Sequence, residues 1–234
     1  VALYMTACKL FFRWLAQENL YTNIADNIKN RVRISTEHKK DALTQAQGRE
    51  LLKSAKGKGT VKDLRDKAII ALMLTAGLRT IEISRADVAD LRRIDGALFL
   101  YVQGKGRSEK AECVRIASAV EKLIRDYLAV RGDIVGNVPL FVATSNRCKN
   151  SRLDTQTIRK MVKSNLRAIG LDSKRLTAHS LRHTAATTML LAGVELAKVQ
   201  MVLRHKSINT TLIYSHAIER LKNDAENRVA DVFF

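Results

Sequence analysis

Ala178-His179-Ser180-Leu181-Arg182-His183, then Leu203-Arg204-His205-Lys206-Ser207, then Tyr214: these three pieces frame the stretch on which the rest of the chain depends. The run between them, from Thr184 to Leu203, is apolar and patterned as helix. A helix apolar on most sides is buried, so the run reads as a scaffold holding polar groups at one end of a bundle. His179 and Arg182 are spaced to share one helix face. A guanidinium beside an imidazole suits one ligand above others, the phosphate of a nucleic-acid backbone.

Composition agrees with that ligand. The 234 residues are 46% hydrophobic, enough for a real core, and carry a net charge of +18 with a pI near 10.1. Such a charge points to a polyanion, nucleic acid first. Cys8, Cys113 and Cys148 are far apart and form no C-x-x-C pair, which fits neither a disulfide framework nor a zinc ribbon. No uninterrupted apolar run reaches the roughly 18 residues of a membrane span, since Glu195 and Lys198 interrupt the longest. There is no signal-peptide pattern. The expected location is the bacterial cytoplasm, at the nucleoid when bound to DNA, with no membrane partner. Val1 falls inside a helical pattern, so the chain is expected to lack its natural beginning.

Working outward from the central stretch, two units are expected. In the first, residues 1–40, Leu3, Ala7, Leu10, Phe11, Trp14 and Leu15 recur with a helical period. Asn27 to Lys40 is a basic linker, in which Arg31, Arg33, Lys39 and Lys40 are suited to lie along phosphates. The second unit spans 41–234. Thr44 and Gln47 form a capping box ahead of Leu51. Val61 to Ala76 is a strong helix ended by Gly77, which puts Arg79 at a helix junction. The period then changes. Leu98 to Gln103 and Ala111 to Ile116 read as strands, with the turn signal Asp95-Gly96 before them. Gly104-Lys105-Gly106 lies at the turn between them.

Ser118 to Arg131 is a helix with a Ser118/Glu121 capping box, and Thr155 to Ile169 is another. Between them lies a basic loop with Arg147, Lys149 and Arg152, a second candidate DNA contact. The segment from Ser215 to Phe234 is near-neutral and amphipathic, suited to docking on protein. The fold class is therefore mainly α with a small antiparallel sheet.

Arg79, Lys105, His179, Arg182, His205 and Tyr214 make one chemical set. Two arginines neutralise a phosphodiester as charge grows in the transition state. A histidine orients and deprotonates a hydroxyl, a tyrosine is a usable nucleophile, and a lysine protonates a departing alkoxide. No carboxylate cluster accompanies them, so this chemistry calls for no metal and no other cofactor. His179 and His183 have the H-x₃-H spacing of a metal pair, but no third ligand is apparent and Arg182 repels a cation. His183 is read as a packing or supporting residue.

Thr75-Ala76-Gly77-Leu78-Arg79 with Glu82, Gly104-Lys105-Gly106, His179 to Thr184, His205-Lys206-Ser207 and Thr210 to Tyr214 together resemble the tyrosine recombinases, the phage integrases and Xer-type enzymes. The resemblance covers Asp41 to Phe234. It implies a tyrosine recombinase catalytic domain, preceded by the end of a helical core-binding domain. It implies that Tyr214 attacks the scissile phosphate and stays on the DNA 3′ end, without metal or ATP. By the same resemblance Arg79 and Arg182 clamp the phosphate and Lys105 is the general acid. His179 is then the base, His205 a hydrogen-bond donor, and Glu82 a support. Further implied are double-stranded DNA with a specific recombination site, and a tetramer joined through the C-terminal helix. Arg204 departs from the pattern, because the family usually has glycine there. The alternatives are a type IB topoisomerase, which shares the chemistry, and a non-catalytic DNA-binding protein.

Overall fold

The computed structural model describes residues 2–28, 41–55, 57, 59–104, 108–132, 136–145, 148–205 and 207–233. The chain divides into two units, Val1–Glu37 and His38–Phe234. The first contains helix α1 (Ala2–Gln17), whose Leu10, Phe11 and Trp14 side chains are about half exposed. The linker cations Arg31, Arg33, Lys39 and Lys40 lie outside the described residues.

The second unit is built around two buried helices. Helix α3 (Val61–Thr75) begins at a Thr60/Asp63 capping box and buries Ala68 through Met73 without interruption. Helix α7 (Ala178–Leu191) is buried from Ser180 through Ala186. Both are covered on nearly every side, which is why their sequences lack a clean amphipathic stripe. Helix α2 (Gln45–Ser54) starts at the Thr44/Gln47 capping box that its sequence announces. It is joined to α7 through the amide of Leu43, which donates to Thr184 Oγ1 at 2.8 Å. Helices α5 (Ser118–Arg131) and α6 (Thr155–Ala168) pack against α3, α6 burying the stripe Ile158, Met161, Val162 and Leu166.

A three-stranded antiparallel sheet, β1 (Leu91–Ile94), β2 (Ala97–Val102) and β3 (Glu112–Ile116), follows the short helix α4 (Thr80–Arg85). Its inward face contributes Leu100, Val102, Val114 and Ile116 to the core. Asp95 and Gly96 both have positive φ, 49° and 77°, and close a two-residue hairpin between β1 and β2.

Four local readings change. The Asp95-Gly96 turn has a strand on both sides, because β1 pairs with β2 although its residues 92–94 are exposed. Ser118 is the first helical residue rather than a cap, and Glu121 turns instead to Arg93 and Arg125. The apolar run from Thr184 to Leu203 is two helices, α7 and α8 (Leu196–Leu203), broken where Gly193 takes a φ of 79°. The tail is likewise two helices, α9 (Asn209–Lys222) and α10 (Ala225–Phe233), so Tyr214 lies inside a helix that begins before it.

Candidate active site

The site gathers at the C-terminal end of α8. The last carbonyls of a helix have no partner within it and carry partial negative charge. Here two arginines supply the missing donors. Arg182, 1% exposed, donates to the Leu203 carbonyl and, at 2.5 Å, to the Gly77 carbonyl beyond the end of α3. Arg79 donates to the carbonyl of Arg204 at 3.1 Å. Two helix ends, α3 and α8, thus fix both guanidiniums. Gly77 has a φ of 59°, and a Cβ there would stand 2.4 Å from Leu203 Cδ2. Only glycine allows this approach.

Glu82 holds the arginines from behind. It is fully buried, with Arg79 Nη1 2.6 Å from one carboxylate oxygen and Arg204 Nη2 2.8 Å from the other. Burial alone would push its carboxyl up; Arg204 and then Arg79 override that and hold it below the ordinary range. Arg182 is pulled down to about 9, first by burial and then by repulsion from Arg79, and stays charged at neutral pH. Arg204 itself is left-handed, φ 54°, the conformation that favours glycine. Its side chain, 3% exposed, also donates to the Val202 carbonyl. The departure from glycine is therefore a built contact.

His205 follows directly. Its Nδ1 is 2.9 Å from Thr211 Oγ1, a fully buried hydroxyl on α9. Burial, then Arg182 and Arg79, depress its pKa to about 4, so the ring is neutral at physiological pH. A neutral ring that accepts at Nδ1 carries its proton on Nε2, where it can donate.

Tyr214, 4% exposed, shares one face of α9 with Thr211 and Ile218, and α9 packs on α7 and α8. Its ring lies parallel to His205, centroids 6.3 Å apart. Its hydroxyl is 2.5 Å from His183 Nδ1. His179, one turn earlier and exposed, meets the His183 ring edge-on at 4.5 Å. Burial pushes the Tyr214 phenol up to about 12 against the pull of Arg182 and Arg79.

Lys105 lies outside the described residues, as does Arg147. The described residues on either side of the Lys105 segment are held in place. Arg85 donates to the Gly104 carbonyl at 3.3 Å, and Lys110 pairs with Asp87 and Asp90. Lys149 is exposed. Arg152, expected on DNA, donates to Asp87 and to the carbonyls of Ser84 and Ala86, which makes it a brace of the fold.

Beside the arginines opens a groove of about 880 Å³, bordered by Arg79, His179 and Arg182 and by Arg85, Arg159, Lys160, Lys163 and Lys174. The last five were not among the sequence candidates. Arg159, Lys160 and Lys163 have a signal in the sequence: they recur at helical spacing against the buried stripe of α6. His183 and Arg204 have no such signal, since their partners are distant in the chain.

The arrangement can hold an anion of phosphate size under two fixed guanidiniums, with a neutral imidazole and a protonated phenol beside it. Comparison with known proteins bears on family and fold. The model of the phage integrase family matches residues 41–220. The chain is 31% identical over 187 residues to tyrosine recombinase XerC of Corynebacterium glutamicum, covering 80% of this chain and 58% of that protein. It is 35% identical over 189 residues to XerC of Caldanaerobacter subterraneus subsp. tengcongensis, covering 80% and 50%. The chain thus spans about half the length of the curated relatives it matches. In fold it is similar to the crystal structure of XerH site-specific recombinase bound to palindromic difH substrate. The TM-score there is 0.72 at 23% identity, over 92% of this chain and 64% of that one. The chain belongs to the phage integrase family, with the Xer tyrosine recombinases among its relatives.

Proposed function

We propose that this chain is the catalytic part of a site-specific DNA recombinase, which cuts and rejoins strands through a covalent 3′-phosphotyrosine on Tyr214. One observation carries the reading: Arg79, Arg182, His205 and Tyr214, distant in sequence, converge on the C-terminal end of α8. Arg79 and Arg182 bind the non-bridging oxygens of the scissile phosphate and gain strength as charge develops there. His205 donates from Nε2 to the same group. Lys105 gives its proton to the leaving 5′ oxygen. The ester energy is kept in the phosphotyrosine link, so rejoining needs no ATP.

Double-stranded DNA is the partner that fits the net charge of +18 and the basic groove. The chain acts in the bacterial cytoplasm, where that DNA is. Helix α10, with Val229 and Phe233 exposed, is the element by which protomers join into a tetramer on two DNA sites.

The test uses a nicked duplex drawn from repeats flanking the gene. Cleavage beside the nick releases a short strand, which prevents rejoining. The expected product is a protein–DNA complex that survives denaturation and a free 5′ hydroxyl. Cleavage that leaves a 5′-linked protein, or none, overturns the reading. Relaxation of supercoiled DNA without any recombinant product would instead indicate a topoisomerase.

A further inference from the structure

The residue that touches the nucleophile is His183. Its Nδ1 is 2.5 Å from the Tyr214 hydroxyl, and both side chains are buried, at 6% and 4% exposure. We propose that His183 is a further catalytic residue: it orients the Tyr214 hydroxyl through Nδ1 and takes the phenolic proton as the oxygen attacks phosphorus. This rests on the recombinase reading and reassigns the base from His179 to the next turn of the same helix.

Three observations bear on it. The first is position. His183 is adjacent to Arg182, so the group that holds the phenol and the group that holds the phosphate come from one rigid turn of α7. A site built on a helix keeps such a pair in register more closely than a loop does. The second is protonation. The phenol is held near 12 and is not ionised at neutral pH, so its proton must leave during attack. A general base within hydrogen-bond reach is what that step requires. The third is surroundings. The His179 ring from the same helix and Tyr214 from α9 face the imidazole, with His205 across the Tyr214 ring. Nδ1 is the ring nitrogen that meets the hydroxyl, so in the neutral tautomer protonated at Nε2 it is the acceptor. A bound phosphodiester brings the negative charge that lets the imidazolium form.

The step balances. The Tyr214 oxygen bonds to phosphorus and the bond from phosphorus to the 5′ oxygen breaks. The phenolic proton goes to His183 Nδ1, and the 5′ oxygen receives a proton from Lys105. Rejoining runs the same transfers backwards, so His183 protonates the departing phenolate.

The test compares His183→Ala and His183→Gln with the intact chain on the nicked duplex that the wild type cleaves. Single-turnover adduct formation is expected to fall by about 10²-fold or more in both, within the range of lost general-base catalysis. DNA affinity should stay within a few fold and the melting temperature close to wild type in His183→Gln. The wild-type rate should rise through the imidazole range of pH and then level, and His183→Gln should lose that inflection. A duplex with sulfur at the bridging 5′ position needs no proton on its leaving group. It should rescue Lys105→Ala but leave both His183 variants slow. Full activity with an unchanged pH profile in His183→Gln would reduce His183 to packing and overturn the proposal, as would rescue by the sulfur substrate. Absence of any adduct in the wild type would instead defeat the recombinase reading itself.

Discussion

Arg204 closes onto Glu82 with Nη2 2.8 Å from Oε2, and both side chains are almost wholly removed from water. The same residue has a left-handed backbone, φ 54°. Two opposed effects meet there: a strain of about 1 kcal/mol for a residue with a Cβ, and charge-assisted hydrogen bonds of about 2 kcal/mol. The ion pair wins. Arg204→Ala keeps the strain without the ion pair; Arg204→Gly removes both. Urea unfolding should therefore rank wild type above Arg204→Gly, and Arg204→Gly above Arg204→Ala by about 1 kcal/mol. An alanine variant as stable as the glycine one would show that the left-handed turn is not retained.

Gly77 is the second point where backbone geometry serves the site. Gly77→Ala must hold a Cβ at a φ of 59° and push Leu203 away, although the carbonyls of both residues bind Arg182. A loss of about 2 kcal/mol or more is expected from the left-handed backbone and the overlap together. Cleavage should suffer more than DNA affinity, because an arginine that shifts loses stabilisation made mainly in the transition state. Equal loss in both would mean that Gly77 serves only packing.

Acid separates two groups of the site. The folded pKa of His205 is about 4, below its ordinary 6.5, so its neutral form is favoured by folding. That contribution is complete above pH 6.5 and is lost as pH falls toward 4. Glu82 is also depressed, so its contribution fades only below the ordinary glutamate value of 4.5. Between pH 6.5 and 4 the wild type should lose stability relative to His205→Asn, and NMR should place the His205 midpoint near 4. A midpoint near 6.5 would mean that the ring is not desolvated.

The groove cations make a different prediction. Arg159 and Lys160 border the groove from the exposed side of α6, away from its buried stripe. Replacing either by alanine should weaken DNA binding about equally across sequences. It should also reduce the slope of log affinity against log salt by about 1 for each phosphate left without its cation. The melting temperature should not move. An unchanged salt slope would place the DNA elsewhere on the surface.

Much of this was legible because the signals are local. The Thr44/Gln47 box, the glycine after α3, the paired strands and the ends of α5 and α6 follow from residues a few positions apart. Strand β1 was not, because its exposed arginines carry little alternation and only pairing with β2 makes it a strand. The break between α7 and α8 was hidden in an apolar run that reads as continuous until Gly193 turns it. Ser118 looked like a cap because Glu121 stands in the right place, but Arg93 draws that carboxylate away from across the sheet. The same reason applies at the site. His183 meets Tyr214, and Arg204 meets Glu82, across long separations in the chain that no spacing rule spans.

The central claim is that the phenol at position 214 becomes the bond between protein and DNA. The most direct measurement is mass spectrometry of the denaturation-resistant adduct after digestion with protease and nuclease. The account predicts a nucleotide attached to the peptide containing Tyr214, and no adduct from Tyr214→Phe. A nucleotide on any other residue, or an adduct that persists in Tyr214→Phe, would contradict it.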